Sequence, residues 1–382
     1  MSAAPEQSSG SLITCEADDQ FTDWLLSTGG TLAVTTYQAG KVTLIGSRDG
    51  GVSVLMRSFD KPLGLAVSGV RVALAGRHQV WLFANAPLLA GDYAEREPGR
   101  YDAIYLPRAA YFTGDLNVHD LAFGDGGPLG GDGLWLVNTR FSCLAGISRD
   151  YSFVPRWQPP FISELAPEDR CHLNGLAMVG GRPKYVTALG ETDSVGGWRE
   201  NKATGGVLVD VERNEVVLRG LSMPHSPRWH DGRLWLLDSG VGELCLVDPH
   251  SGERTVVCRL PGYLRGLCFV NGAAVVGLCQ IRERHIFGGL RVQHDHDRLL
   301  CGLAVIDLRT GRRIGLFEFT GGCQELYDVQ FLSGVERPMI VNLEQEAARQ
   351  AFPTADFAYW LRESSKAGDT RPAPPADSAG QS

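Results

Sequence analysis

The sequence contains no CxxC pair, no run of some twenty apolar residues, no cluster of basic residues and no G-x-S-x-G segment. Each absence excludes something. Nine cysteines are scattered singly through apolar stretches such as Glu243-Leu-Cys245-Leu-Val247 and Gly266-Leu-Cys268-Phe-Val270. An odd number without paired spacing argues against a disulfide framework. The expectation is buried free thiols in a reducing, cytoplasmic setting, since free cysteine behaves as a small hydrophobe. A formal net charge of −8 with no basic stripe leaves nothing to neutralise a phosphate backbone, which argues against nucleic acid as a partner. No stretch approaches the ~20 apolar residues of a membrane helix, so no membrane partner is expected. The opening MSAAPEQSSGSLITCEADDQ has neither a basic nor an apolar region and does not read as a signal peptide. No nucleophile elbow is present for serine hydrolase chemistry.

What the chain does have is glycine, 47 residues of it, and a hydrophobic content of 43%, enough for a large packed core. It also has a repeat. A short motif recurs as Leu63-Gly-Leu-Ala66, His119-Asp-Leu-Ala122, Asn174-Gly-Leu-Ala177, His225-Ser-Pro-Arg228, Arg265-Gly-Leu-Cys268 and Tyr327-Asp-Val-Gln330. After most copies come two or three more strand-like runs separated by turn residues. The clearest unit reads SPRWHDG, RLWLLDSG, GELCLVDPHSG, ERTVVCRL, an up-and-down meander with Asp-Gly and Pro-His-Ser-Gly turns. Self-similarity at a period of roughly 40–55 residues, built from strands, signals a β-propeller.

The predicted fold is therefore all-β, a single closed propeller. Tyr327–Leu332 lacks partner strands and the first strands (TLAVTT, KVTLIG, SVLMR) lack an inner one. Pairing the two ends closes the ring with six four-stranded blades and leaves no exposed edges. Seven blades stay open as an alternative, because MIVNL at 339–343 competes with TLAVTT for one place. FTDWLL at 21–26 fits a short helix or a first strand. By composition, 1–18 and 364–382 read as disordered tails and 19–363 as the propeller. An insertion falls at 282–298.

Successive side chains of a strand point to opposite faces, and the first strand of a blade lines the central channel. The lead residue of each motif should thus face one axis, and the small residues after it should lie between blades. His119, Asn174, His225 and Arg265 are expected to converge there, with His172 on the same face two positions before Asn174. His119, His172 and His225 are spaced at 53 residues each. Three imidazoles near one axis suit a divalent transition metal such as zinc, iron or copper, with Asn174 as a fourth ligand or a substrate anchor. The same imidazoles equally suit a metal-free polar pocket in which they act as acid and base. Arg265 offers a bidentate fork for a substrate carboxylate or phosphate, or else forms a salt bridge with Asp328 or Asp120. Tyr327, the lead of the last motif, is a further candidate for ligand contact, and loops at one mouth add Glu191 or Glu283 for proton transfer and Asp193, Trp198, Gln280 and Arg282 for ligand contact.

The Asn174-Gly175-Leu176 segment resembles the axial ligand motif of the regucalcin and gluconolactonase propellers, whose asparagines and aspartates hold a divalent metal. That resemblance is confined to the inner-strand motifs, and here His119 and His225 stand where the family has oxygen ligands, which disfavours calcium. Over most of its length the chain resembles an uncharacterised bacterial family of conserved hypothetical proteins. The segments that carry this are His172-Leu-Asn-Gly-Leu-Ala177, Tyr185-Val-Thr-Ala-Leu-Gly190 with Gly197-Trp-Arg199, Met223-Pro-His-Ser-Pro-Arg-Trp-His230 and Gly277-Leu-Cys-Gln-Ile-Arg-Glu283. Two functional readings follow. One is an enzyme with a histidine-lined axial pocket acting on a small polar or anionic substrate. The other is a non-catalytic propeller that binds a small ligand, peptide or protein partner at one mouth.

Overall fold

Five of the six lead residues fall within or just before the inner strand of a four-stranded antiparallel meander, and the sixth closes the ring. The computed structural model describes residues 12–94, 96–125, 133–281 and 288–361. Blade 2 begins at Leu65–Ser68, blade 3 at Val118–Phe123, blade 4 at Leu173–Val179, blade 5 at Pro224–His230 and blade 6 at Tyr263–Val270. Blade 1 takes its inner strand, Val329–Ser333, from the far end of the chain and pairs it with Gly30–Thr36, Lys41–Arg48 and Gly51–Ser58. Among the described residues six blade sheets result, and their inner strands touch in sequence around the axis. The seven-blade alternative fails on one pairing. Pro338–Ile340, the start of MIVNL, does not begin a blade but runs parallel to Ala103–Phe112 as a fifth, outer strand of blade 2.

One boundary needs correction. Residues 1–18 were expected outside the fold, yet Thr14–Ala17 is a strand that pairs with Arg313–Gly321 at the rim of blade 6. It covers the edge that blade 6 would otherwise expose. Asp18 then caps the helix Asp19–Thr28, its carboxylate accepting from Phe21 N at 2.7 Å and from Leu316 N at 3.1 Å. This decides FTDWLL in favour of helix, and Phe21 and Leu25 are buried against blade 6. The proposed tail 364–382 lies outside the described residues.

The core is distributed between blades. Leu134, Leu136 and Ala145 of blade 3 meet Ala73, Ala75 and Val80 of blade 2, and Trp235 and Leu237 of blade 5 meet Leu264 and Val276 of blade 6. The glycines after Leu63, Asn174 and Arg265 work at these seams as expected. A Cβ on Gly64 would lie 3.0 Å from Asp120 Cα, and one on Gly175 would run into Pro227. Gly266 has in addition a φ of +81°, open only to glycine at low cost.

Strict alternation does not hold at the axis. Pairing registers slip between Leu173 and Gly175, His225 and Arg228, and Leu264 and Leu267, so these inner strands are bulged. The bulges let residues beyond the lead address the axis as well. Arg228 lies there, 2.7 Å from Asp120 and 3.4 Å from Asp328. Asp120 also accepts from Leu176 N, Asp328 accepts from Leu65 N, and Arg228 donates to Leu267 O. One ion-pair cluster thus ties together all six inner strands. It takes the role that the sequence offered to Arg265.

Candidate functional site

The lead residues gather at the other level of the axis. His119 and Tyr327 have ring centroids 5.0 Å apart, and His225 and Tyr327 6.4 Å apart. The Arg265 guanidinium lies 5.2 Å from the Tyr327 ring, 5.0 Å from Tyr263 and 5.5 Å from Tyr37. His172 stacks edge-on to His119 at 4.7 Å. Of the residues expected there, His119, His172, His225 and Arg265 come together around Tyr327, while Asn174 is engaged with the neighbouring blade.

A repeated backbone device aims these groups. The residue two before the lead has a left-handed φ of 50–53° in four consecutive blades: Lys61, Asn117, His172 and Met223. In two of these blades the carbonyl of that residue meets the lead imidazole, and in blade 4 the ring of His172 itself joins the site. His119 Nδ1 lies 2.7 Å from Asn117 O, and His225 Nδ1 lies 2.9 Å from Met223 O. Each Nδ1 has a second neighbour just after the second strand, Thr139 Oγ1 at 2.8 Å and Ser239 Oγ at 3.1 Å. Those hydroxyls donate their own hydrogens to Leu173 O and Leu264 O of the next blade, both at 2.6 Å. Every neighbour of Nδ1 is thus an acceptor, so Nδ1 carries the proton in both rings and Nε2 offers its lone pair toward the axis. His172 follows the same rule with a carboxylate, its Nδ1 lying 2.9 and 3.0 Å from the two oxygens of Asp169. Trp198 Nε1 donates to Asp169 at 3.1 Å, and the Trp198 ring lies 4.5 Å from that of His172.

Burial sets the charges. It pushes the pKa of His119 and His225 well below the usual imidazole value, aided by His172 in the first case and by Arg265 in the second. Both rings are neutral at pH 7. Burial likewise raises the phenols of Tyr37, Tyr263 and Tyr327. Tyr37 donates to Glu325 and accepts from Arg265 at 3.0 Å. Two buried atoms, His225 Nε2 and Tyr327 Oη, have no hydrogen-bond partner among the described residues.

Other expected site residues are engaged elsewhere. Asn174 Nδ2 donates to Pro224 O at 3.0 Å and its Oδ1 accepts from Thr187 at 2.7 Å, so it staples blade 4 to blade 5. This is the residue on which the likeness to the regucalcin propellers rests. Glu191 forms a bidentate pair with Arg219. Asp193 joins Ser163 and Arg170, whose hydrogen bonds push its carboxyl down to about 2. Trp198 orients Asp169 and forms a wall of the site. Gln280 donates its backbone N–H to Gln324 O beside the Glu325 turn. Arg282 and Glu283 lie outside the described residues. Among the described residues no group of three or more His, Cys, Asp or Glu is placed to hold a metal ion.

A family model described as Domain of unknown function (DUF4915) matches residues 19–341. The chain belongs to that family. The match spans the four-stranded meanders of all six blades, so the matched region is the propeller itself. No curated protein sequence matches the chain significantly. Among solved structures it is similar to a chain in the crystal structure of a nidogen/laminin complex, at 10% identity and a TM-score of 0.46, covering 80% of this chain and 99% of that one. No helix among the described residues is long and apolar enough to cross a membrane.

The DUF4915 axial site also contains four residues the sequence reading passed over. Tyr263 and Glu325 stand two before their leads, the position already noted for His172, so the repeat itself carried that signal. Asp169 and Tyr37 lie outside the inner strands, Asp169 three positions before His172 and Tyr37 just after the strand Gly30–Thr36.

Proposed function

We propose that the imidazole-lined mouth is the active site of an enzyme that moves a proton on a small polar molecule, with His172 as the base and Asp169 as the group that orients it. The observation that carries this is the His172–Asp169 contact at 2.9 Å, backed by Trp198. A base whose far nitrogen is fixed by a carboxylate presents its other nitrogen in one direction. Around it stand two neutral imidazoles able to accept hydrogen bonds and a permanent cation, Arg265, able to balance developing negative charge. No step in this reading needs a metal. The direct test is to incubate the protein with defined small hydroxy acids, polyol phosphates and amino acids in D2O and follow consumption and deuterium uptake by mass spectrometry. One compound should react, at a rate about 10²–10⁴-fold lower in His172→Asn. Equal rates in the wild type and this variant would overturn the assignment.

A second reading has one observation in its favour. All three imidazoles anchor Nδ1 to an oxygen and leave Nε2 free to face the axis, as metal-ligating histidines do. Zinc, iron or copper would then bind His119, His172 and His225. The engaged amide of Asn174 and the charge of Arg265 weigh against it. Elemental analysis of protein purified without a His-tag distinguishes the two readings. A binding-only role for a peptide or protein at the mouth would show as affinity without turnover.

A further inference from the structure

We infer that the ligand of this mouth is a hydroxylated anion, a small molecule with a carboxylate or phosphate group and at least one free hydroxyl. The inference rests on the preceding reading of where the site lies and adds what the site recognises. His225 Nε2 is an acceptor, since its ring proton is held at Nδ1 by Met223 O and Ser239. Tyr327 Oη can both donate and accept. Both atoms are buried and unpartnered among the described residues, and their rings are 6.4 Å apart. Buried polar atoms are rarely left so without a reason, because the lost hydration is not recovered. A hydroxyl answers both needs, donating to an imidazole nitrogen and accepting from a phenol. An ammonium group could also donate to His225, but the Arg265 guanidinium, ringed by three phenols, repels it. The same guanidinium favours a negative group. Neither a neutral polyol nor a plain anion uses the whole set. The lowered pKa of His225 is consistent, since a neutral ring keeps its lone pair.

The test is calorimetric titration of the full-length protein at pH 7 with glycerate, glycerol 3-phosphate, glycerol, propionate and inorganic phosphate. Glycerate or glycerol 3-phosphate should bind at least about tenfold more tightly than glycerol, propionate or phosphate, and whichever leads tells carboxylate from phosphate. Arg265→Met should abolish that margin. Tyr327→Phe, which removes one oxygen and preserves the ring, should weaken binding by about three- to tenfold and serves if the arginine variant fails to fold. Hydroxylated anions binding no better than glycerol, or a margin unchanged in Tyr327→Phe, would overturn the inference. So would no binding by any of the five, which would mean that ordered water satisfies the two atoms. The calorimetric margin reports recognition by His225, Tyr327 and Arg265, and the turnover assay reports the base, so the two are read separately. Binding of these anions without turnover of any substrate would therefore sink the catalytic proposal alone. Turnover of a neutral compound, with no preference for the anions, would sink the ligand class alone.

Discussion

Ser239 stands 3.1 Å from the ring nitrogen of His225 and donates its own hydrogen to Leu264 O at 2.6 Å. One hydroxyl therefore fixes a tautomer on blade 5 and ties that blade to blade 6. Thr35, Thr139 and Cys279 repeat the interblade half of this arrangement, reaching Leu63 O, Leu173 O and Leu326 O. Ser239→Ala should leave a buried carbonyl unsatisfied and lower stability by about 1–3 kcal/mol in urea denaturation. An unchanged midpoint would show that the clasp contributes nothing.

The imidazole tautomers can be read directly. In ¹⁵N spectra at pH 7, His119 and His225 should each show a protonated Nδ1 and an unprotonated Nε2. Their folded pKa values lie below the unfolded one, so below about pH 6.5 the unfolded chain binds protons that the native rings refuse. Their contribution to stability is therefore complete above that pH and declines as the pH falls. Protonated rings at pH 6 would contradict the burial argument.

Arg228→Met tests the axial ion pairs. It would leave Asp120 and Asp328 buried without their cation, and a loss of about 3–5 kcal/mol is expected. Burial already lifts Asp328 from an ordinary 3.8 to about 7, with Arg228 pulling down and Asp120 pushing up. A raised carboxyl favours the fold most below its unfolded pKa and loses that benefit as pH rises through the folded value. Removing Arg228 raises it further, so the variant's deficit should be largest at pH 8 and shrink toward pH 5. A deficit independent of pH would argue for lost packing alone.

Gly175→Ala should act at the seam between blades 4 and 5, where the added methyl meets Pro227 and Thr187 Oγ1. Both neighbours are held, so a destabilisation of about 1–3 kcal/mol follows. Gly232→Ala, with nothing within 4 Å but a φ of +70°, isolates backbone strain from this crowding. Equal losses in the two variants would mean that the seam is slack.

Deleting residues 1–17 should expose the outer edge of blade 6, because Cys15 to Ala17 pair with Phe319 to Phe317. The truncated protein should melt lower and aggregate more readily by light scattering. Melting at the wild-type temperature would return this segment to the role of a tail.

Much of the fold was legible because strands and turns leave local marks. The meander of blade 5, the glycines at the seams and the mismatch between the two chain ends each pointed to a ring. Thr14–Ala17 was missed because four residues at an outer edge follow a polar stretch and carry no period of their own. The lead positions pointed to His119, His225, Arg265 and Tyr327 because a radial repeat projects equivalent residues to one axis. Asn174 shared that position, but its function depends on where Pro224 O and Thr187 lie.

The sequence by itself determined the repeat, the six inner strands and the kinds of side chain offered to the axis, since these follow from periodicity and from alternation along a strand. Only the tertiary structure decided which of them meet. Bulges break the alternation, so Arg228 rather than Arg265 joins Asp120 and Asp328 in the axial cluster. Left-handed turns before the leads bring carbonyls to two lead imidazoles and His172 into the site, and a loop brings Asp169 to that ring. Contacts within a blade then fix the proton positions on the imidazoles, while the charged groups meet partners up to 288 positions away, and no local pattern encodes those long-range meetings.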